Sequence, residues 1–125
     1  MFADTDFLLA LLKESDWLKR NAESILEKHK GSINTSVSVM IELAIVCKRL
    51  RLNVVDTFAS VFELVEINEE MYKLCLNAAI YIEKDMLNVF DAFHAAYCGN
   101  EAIISSDSAY DKLGLERIKL EKLPS

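Results

Sequence analysis

The chain has 125 residues, 52% of them hydrophobic, which is the size of one domain with a substantial core. Its 14 basic and 20 acidic side chains give a net charge of −6, which excludes a uniformly basic surface that binds nucleic acids without specificity. The three cysteines lie far apart and form no C-x-x-C pair, which excludes a disulfide framework and a zinc knuckle. The first residues lack the pattern of a signal peptide, and the longest apolar run, residues 37–47, is too short to span a bilayer. We therefore expect a cytoplasmic protein without membrane contact.

Short strands and helices alternate in the first part of the chain. Residues 1–3 are predicted to form a strand, because apolar residues at helical spacing begin directly after Asp4. Ser15 or Asp16 is expected to cap a second helix, and residues 32–34 to form a second strand.

The third helix is expected to begin after a cap at Thr35 or Ser36 and to reach about Arg51. It is apolar on nearly every side up to Lys48. We therefore expect this helix to be buried for most of its length.

The remaining residues continue the alternation. Residues 53–62 are predicted to be helical, and Asn68 and Asn88 are expected to cap two further helices. The predicted strands are residues 63–67, 102–105 and 117–120, with a short helix at residues 108–113 before the last of them. The 102–105 strand is continuously apolar, as in parallel sheets that are buried on both faces. This order predicts a single α/β domain over residues 1–125 with a mostly parallel sheet.

Two acids follow predicted strands. Asp4 comes directly after the first strand, and Asp107 comes after the 102–105 strand with one residue between. Ligands of open parallel sheets bind outside the carboxyl ends of the strands. If these two strands are neighbours, the two carboxylates converge within reach of a shared metal ion.

Glu42 and Asp91 are two further candidates. Glu42 is the only charged residue between Asn34 and Lys48, so a buried position requires it to be neutral, paired or bound to a cation. Asp91 lies close to the start of the sixth helix. Four acids at one end of a sheet repel one another unless a cation lies among them, and Mg²⁺ and Mn²⁺ prefer carboxylate oxygens.

Each acid also has a purely structural interpretation. Asp4 is suited to cap the first helix, Asp107 or Ser108 to cap the short helix, and Asp91 to be the capping partner of Asn88. For Glu42 the structural alternative is a buried salt bridge with Lys13 or Lys48.

The motifs, in this order, resemble those of the PIN-domain nucleases, and more closely those of the small VapC-type toxins of bacterial and archaeal toxin–antitoxin pairs. The resemblance covers nearly the whole chain. It is carried by Ala3-Asp4-Thr5, by Ser38-Val39-Met40-Ile41-Glu42-Leu43-Ala44, by Asp91-Ala92-Phe93-His94-Ala95-Ala96, and by Ile103-Ile104-Ser105-Ser106-Asp107 with Tyr110-Asp111.

The resemblance implies a three-layer α/β/α fold with a mostly parallel sheet of about five strands. It also implies an endoribonuclease that depends on Mg²⁺ or Mn²⁺ and cleaves RNA phosphodiester bonds with metal-activated water. Asp4, Glu42, Asp91 and Asp107 would be the catalytic and metal-binding residues, with Thr5 and Ser106 orienting ligands or water. The resemblance further implies the toxin of a toxin–antitoxin pair, a homodimer, and an antitoxin that blocks the site.

Two acids depart from the pattern. Asp6 stands where the family more often has Asn or Ser, and Asp111 is either an acid behind the metal ligands or a residue of the helix surface. Two other functions stay open: a catalytically silent PIN-like module that binds RNA or a protein, and a phosphoesterase that acts on another substrate, such as DNA.

Overall fold

A computed structural model describes residues 1–122 of the chain. The last residues of the predicted single domain, 123–125, lie outside the described residues. Six α-helices precede a short parallel sheet: α1 (Thr5–Leu12), α2 (Lys19–His29), α3 (Val37–Leu50), α4 (Val54–Leu64), α5 (Glu69–Asp85) and α6 (Val89–Cys98), then β1 (Ile103–Ser105), a 3₁₀ helix (Ser108–Leu113) and β2 (Arg117–Lys119). Within residues 1–122, no helix has both the length and the apolar character needed to cross a membrane.

Polar side chains at the helix starts explain most of these boundaries. Ser36, Asn53, Asn68 and Asn88 each accept a hydrogen bond from a backbone N–H in the first turn of the helix that follows. The second helix is an exception, because α2 begins at Lys19 without a side-chain cap. Its predicted cap at Ser15 or Asp16 is wrong. Asp16 instead forms the preceding turn, where its Oδ1 accepts from the backbone N–H of Leu18 at 2.8 Å.

The predicted five-stranded sheet is wrong for the described residues. β1 pairs in parallel with β2, Ile103 opposite Arg117. The three other predicted strands are reduced to two isolated parallel bridges, Phe2 with Asn34 and Asn34 with Glu66. Each of these segments supplies a single pairing residue, so they lie side by side without forming extended strands.

The predicted 63–67 strand is shortened because α4 continues to Leu64. The pattern E-L-V-E-I predicts a strand, but Val65 also continues the helical spacing of Phe58 and Val61, and all three are buried. The predicted burial of the 102–105 strand on both faces is also wrong, since the side chain of Ile104 is 64% exposed. Side chains alternate along β1, so only Ile103 and Ser105 are partly covered.

The core lies among the helices. Its largest fully buried side chains include Phe58 of α4, Phe93 of α6, and Met40 and Leu43 of α3. The rings of Phe58 and Phe93 lie 6.4 Å apart between centroids, so this aromatic pair joins α4 to α6. α6 packs mainly against α5, and these contacts fix the helix that carries Asp91.

Candidate active site

Asp4 and Glu42 flank the same threonine. Asp4 caps α1, and its Oδ1 accepts from the backbone N–H of Thr5 at 2.7 Å. The buried Thr5 hydroxyl donates to Glu42 Oε2 at 3.0 Å. We call Asp4, Thr5 and Glu42 the first half of the site. The capping alternative for Asp4 is confirmed, and the Thr5 hydroxyl does orient one of the predicted acids.

The predicted burial of Glu42 is wrong. Its side chain is exposed, as is that of Ser38 one turn earlier, so the apolar composition of α3 hides an open stripe along one side of the helix. Within residues 1–122, no ion pair joins Glu42 to Lys13 or Lys48, and its partner is Thr5. Glu42 is therefore not a desolvated carboxylate that requires an ion pair or a cation.

Asp91 is held by two side chains. Asn88 Oδ1 accepts from the backbone N–H of Asp91 at 2.9 Å, and Asn88 Nδ2 donates to Asp91 Oδ2 at 2.7 Å. This reciprocal pair confirms the predicted capping arrangement. The hydroxyl of Tyr110 donates to the other oxygen, Asp91 Oδ1, at 3.1 Å. Both carboxylate oxygens of Asp91 thus accept a hydrogen bond.

Sequence reasoning missed Tyr110. The residue is only 3% exposed, and burial, followed by the hydrogen bond to Asp91, raises the pKa of its hydroxyl to about 12. The hydroxyl therefore stays protonated and remains a donor at neutral pH. A buried tyrosine is typical of a core, and no local spacing in the sequence relates Tyr110 to Asp91, nineteen residues earlier in the chain.

Asp107 caps the 3₁₀ helix. Its Oδ1 accepts from the backbone N–H of Ala109 at 2.8 Å, which settles the cap on Asp107 rather than Ser108. The backbone N–H of Asp107 donates to Ser105 Oγ at 3.0 Å. The hydroxyl that contacts the backbone of Asp107 is therefore on Ser105. Ser106, which is predicted to orient ligands or water, is exposed. A serine two residues before an acid is a common turn pattern, so the sequence did contain a signal for the contact between Ser105 and Asp107. Asp107 makes no hydrogen bond to Asp91 or Tyr110 within residues 1–122, but its charge contributes to the raised pKa of Tyr110. We call Asp91, Tyr110 and Asp107 the second half of the site.

Asp111 is paired with an arginine. Arg117 Nε and Nη2 donate to its two carboxylate oxygens at 2.8 and 3.1 Å, and Nη1 also donates to the Ser105 carbonyl at 2.8 Å. The hydrogen bond from Arg117 holds the pKa of Asp111 below its usual value. Asp111 is thus a structural residue that links the 3₁₀ helix to β2. Asp6 lies exposed in the first turn of α1, where an acid complements the helix dipole.

The two halves are separate in the structure. Within residues 1–122, no group of three His, Cys, Asp or Glu side chains lies close enough together to hold a metal ion. The expected convergence of Asp4 and Asp107 depended on pairing between residues 1–3 and β1. Instead, Phe2 pairs with Asn34 and β1 pairs with β2.

The donor chemistry nevertheless suits a hard cation. Asp4, Glu42 and Asp107 are exposed carboxylates, and each uses one oxygen in the hydrogen bonds described above. Mg²⁺ is usually bound through one or two carboxylates together with water and substrate phosphates. Two carboxylates around Thr5 therefore fit this ion, although no four-acid centre is formed.

Comparison with known protein families identifies the family of this chain. The profile of the PIN domain matches residues 1–115. The chain belongs to the PIN domain family. PIN domains have a three-layer α/β/α fold and are generally nucleases, which supports a hydrolase that acts on nucleic acids. All of the candidate acids of this PIN domain lie inside the matched residues. Searches of curated proteins and of solved structures found no match.

Proposed function

We propose that this PIN domain is an endoribonuclease that requires Mg²⁺ or Mn²⁺ and hydrolyses RNA phosphodiester bonds. The observation that carries the proposal is that Asp4 and Glu42 are joined by hydrogen bonds through Thr5, while Asp91 accepts from Tyr110, whose pKa is also raised by the charge of Asp107. Carboxylates of this kind are the usual ligands of hard divalent cations. Asp4 and Glu42 would hold an ion in the first half, and Asp91 and Asp107 are the candidate ligands in the second half.

When bound, the metal ion supplies a Lewis acid that lowers the pKa of water and offsets charge on the phosphate. The chain's own contribution is to hold the carboxylates. Thr5 restrains Glu42, Asn88 and Tyr110 restrain Asp91, and the Ser105 hydroxyl restrains the backbone at Asp107. Fixed ligands cost less reorganisation when the ion and the phosphate bind.

We also propose that the protein is the toxin of a toxin–antitoxin pair and forms a homodimer. The motifs that resemble VapC-type toxins support this. Phe90, which precedes Asp91, is 55% exposed, and Met86 before it is 74% exposed. Exposed apolar side chains of this kind provide contact surface for a protein partner, whether a second copy or an antitoxin.

A catalytically silent module that binds RNA or protein is the second candidate. One observation favours it: Asp4, Asp91 and Asp107 all serve the starts of helices, and no three acids meet within the described residues. Such a module would retain the acids for capping alone.

The test is incubation of highly purified protein with RNA and DNA oligonucleotides of one sequence, in Mn²⁺, in Mg²⁺ and in EDTA. The proposal predicts cleavage of RNA that requires a metal ion, and a higher melting temperature in Mn²⁺ because the ion binds the folded state. Metal-dependent cleavage of DNA alone would replace it with a DNA nuclease. Absence of both cleavage and thermal shift would favour the silent module.

A further inference from the structure

A groove runs between α6 and β1 beside the second half of the site. Its volume is about 600 Å³, within the range of small-molecule sites, and its lining includes His94, Tyr97, Cys98, Glu101, Ile104 and Tyr110. We call it the α6 groove.

The α6 groove begins one side chain away from Asp91. Tyr110 lines the groove, and its hydroxyl donates to Asp91 Oδ1 at 3.1 Å. Along α6, residues 91, 94 and 98 lie on one stripe, and three residues advance about 4.5 Å along a helix axis. His94 and Cys98 therefore continue the line that starts at Asp91. A ligand that contacts Asp91 with one group reaches the groove with its neighbouring group.

The charge of the lining discriminates between parts of a nucleotide. Among the described residues that line the groove, none is Lys or Arg, and Glu101 is an acid. A phosphate is anionic and is repelled by Glu101 and by Asp91 nearby. A nucleobase is neutral and planar, so it meets no such repulsion.

The groove also offers the contacts that a base uses. Tyr97 lines the groove and is 57% exposed. Aromatic side chains are the surfaces on which proteins stack the bases of single-stranded nucleic acids. On the β1 side, Ile103 N–H donates to the Glu116 carbonyl and the Ser105 carbonyl accepts from Leu120 N–H. Ile104 lies between Ile103 and Ser105. In a parallel pair, the peptide N–H and C=O of Ile104 then point away from β2. Ile104 is itself one of the residues that line the groove.

We propose that the α6 groove is the subsite for one nucleobase of the RNA, next to the phosphate that is cleaved, with Tyr97 as its stacking platform. The inference rests on the proposed function, because that function supplies the RNA. It goes further by naming the part of the substrate that is recognised and the side chain that recognises it.

The first test is binding of a fluorescently labelled short single-stranded RNA in EDTA, where no cleavage occurs. Replacing Tyr97 with alanine (Y97A) is expected to weaken binding by about fivefold or more, the usual loss of one base–aromatic stack. Y97F keeps the ring and is expected to restore most of the binding that Y97A loses. The matched control is W17A, since Trp17 is a more exposed aromatic residue, at 89%, outside the groove.

The second test uses Cys98 as a reporter. Cys98 lines the groove and is partly exposed, whereas Cys47 and Cys75 are buried and burial raises the pKa of the Cys75 thiol to about 12. Only Cys98 is therefore expected to react readily with an alkylating reagent in the folded protein. The RNA should slow this reaction in the wild type and have less effect in Y97A.

The outcomes separate this inference from the proposed function. If the wild type cleaves RNA but Y97A binds as W17A does, the subsite is wrong and the nuclease stands. If RNA binds but leaves alkylation of Cys98 unchanged, the groove has another occupant, such as a protein, and the inference is overturned. If RNA binds without ever being cleaved, loss of binding in Y97A still supports the subsite while the nuclease falls. Absence of RNA binding in EDTA overturns the subsite, while metal-dependent cleavage decides the nuclease separately.

Discussion

The Thr5 hydroxyl is the only group within the described residues that donates a hydrogen bond to Glu42. Replacing Thr5 with valine (T5V) removes this donor while keeping the shape of a buried side chain. Because residues that orient metal ligands typically contribute about 10- to 100-fold to metal affinity or activity, T5V is expected to lower Mn²⁺ affinity and RNA cleavage by that order. The measurements are a Mn²⁺ titration and a cleavage assay.

T57V is the matched control for T5V. The Thr57 hydroxyl also makes one helix-terminal hydrogen bond, to the Asn53 carbonyl at 2.8 Å, but belongs to neither half of the site. Equal effects of T5V and T57V on Mn²⁺ affinity would mean that Thr5 has only a structural role.

The residues of the site were predictable to different degrees. Asp4, Asp91 and Asp107 stand where helix-capping rules place acids, so their positions followed from local sequence. The partner of Glu42 did not, because exposure of one stripe on an apolar helix depends on which neighbours pack against it. Tyr110 was missed for a related reason, since its contact with Asp91 joins two distant parts of the chain.

Arg117 joins the 3₁₀ helix to β2. Its side chain is only 3% exposed and donates to Asp111, Glu121 and the Ser105 carbonyl. The hydrogen bonds from Arg117 lower the pKa values of both acids in the folded state, from ordinary values of 3.8 for Asp111 and 4.5 for Glu121. A lowered folded-state pKa means stabilisation that is complete above these ordinary values and is lost as the pH falls through the folded-state values.

R117Q is therefore expected to flatten the acid side of the stability curve. The melting temperature of the wild type should fall more steeply below pH 4.5 than that of R117Q, measured by thermal unfolding over an acidic pH series. K73Q is the control, because the ion pair of Lys73 with Glu69 spans 3.6 Å between two largely exposed side chains. An unchanged acid slope in R117Q would contradict the role assigned to this cluster.

Helices were easier to predict than strands. Each helix start with a Ser, Asn or Asp cap has a local chemical cause, and four predicted starts agree with the structure at Asp4, Ser36, Asn68 and Asn88. The expected strands hold three to five residues, and whether such a segment pairs depends on partners far away in the chain. At residues 63–67, Leu64 and Val65 lie three and four residues after Val61 and so continue the helical spacing, and the helix extends to Leu64.

Phe58 is a core residue that contacts Phe93 of α6, the helix that carries Asp91. It is fully buried, and its ring lies 6.2 Å from that of Phe62 and 6.4 Å from that of Phe93. F58A should lower the free energy of unfolding by about 3–5 kcal/mol, as is usual when a large buried aromatic residue is truncated. Urea unfolding measures this loss.

The control for F58A is F90A. Phe90 is 55% exposed on α6, so its truncation should change the free energy of unfolding by about 0.5 kcal/mol or less. Similar losses in the two variants would contradict the placement of Phe58 in the core.

The molecule as a whole differs from its predicted form at the sheet. A continuous sheet would bring Asp4 and Asp107 together, and the structure instead has one two-stranded sheet and two bridges. The acids are accordingly found in two halves. Local sequence located the acids, but their convergence depends on long-range strand pairing, which no local pattern encodes.

We propose that Asp91 acts in metal-dependent RNA cleavage beyond its role as a capping partner. Asp56 provides a matched comparison, because Asn53 accepts from its backbone N–H at 2.9 Å, as Asn88 does from that of Asp91. The decisive measurement is Mn²⁺-dependent cleavage of single-stranded RNA by the wild type, D91N and D56N, each shown to be folded. D91N is expected to be inactive, while D56N is expected to cleave at the wild-type rate. Cleavage by D91N at the rate of D56N would contradict the proposal.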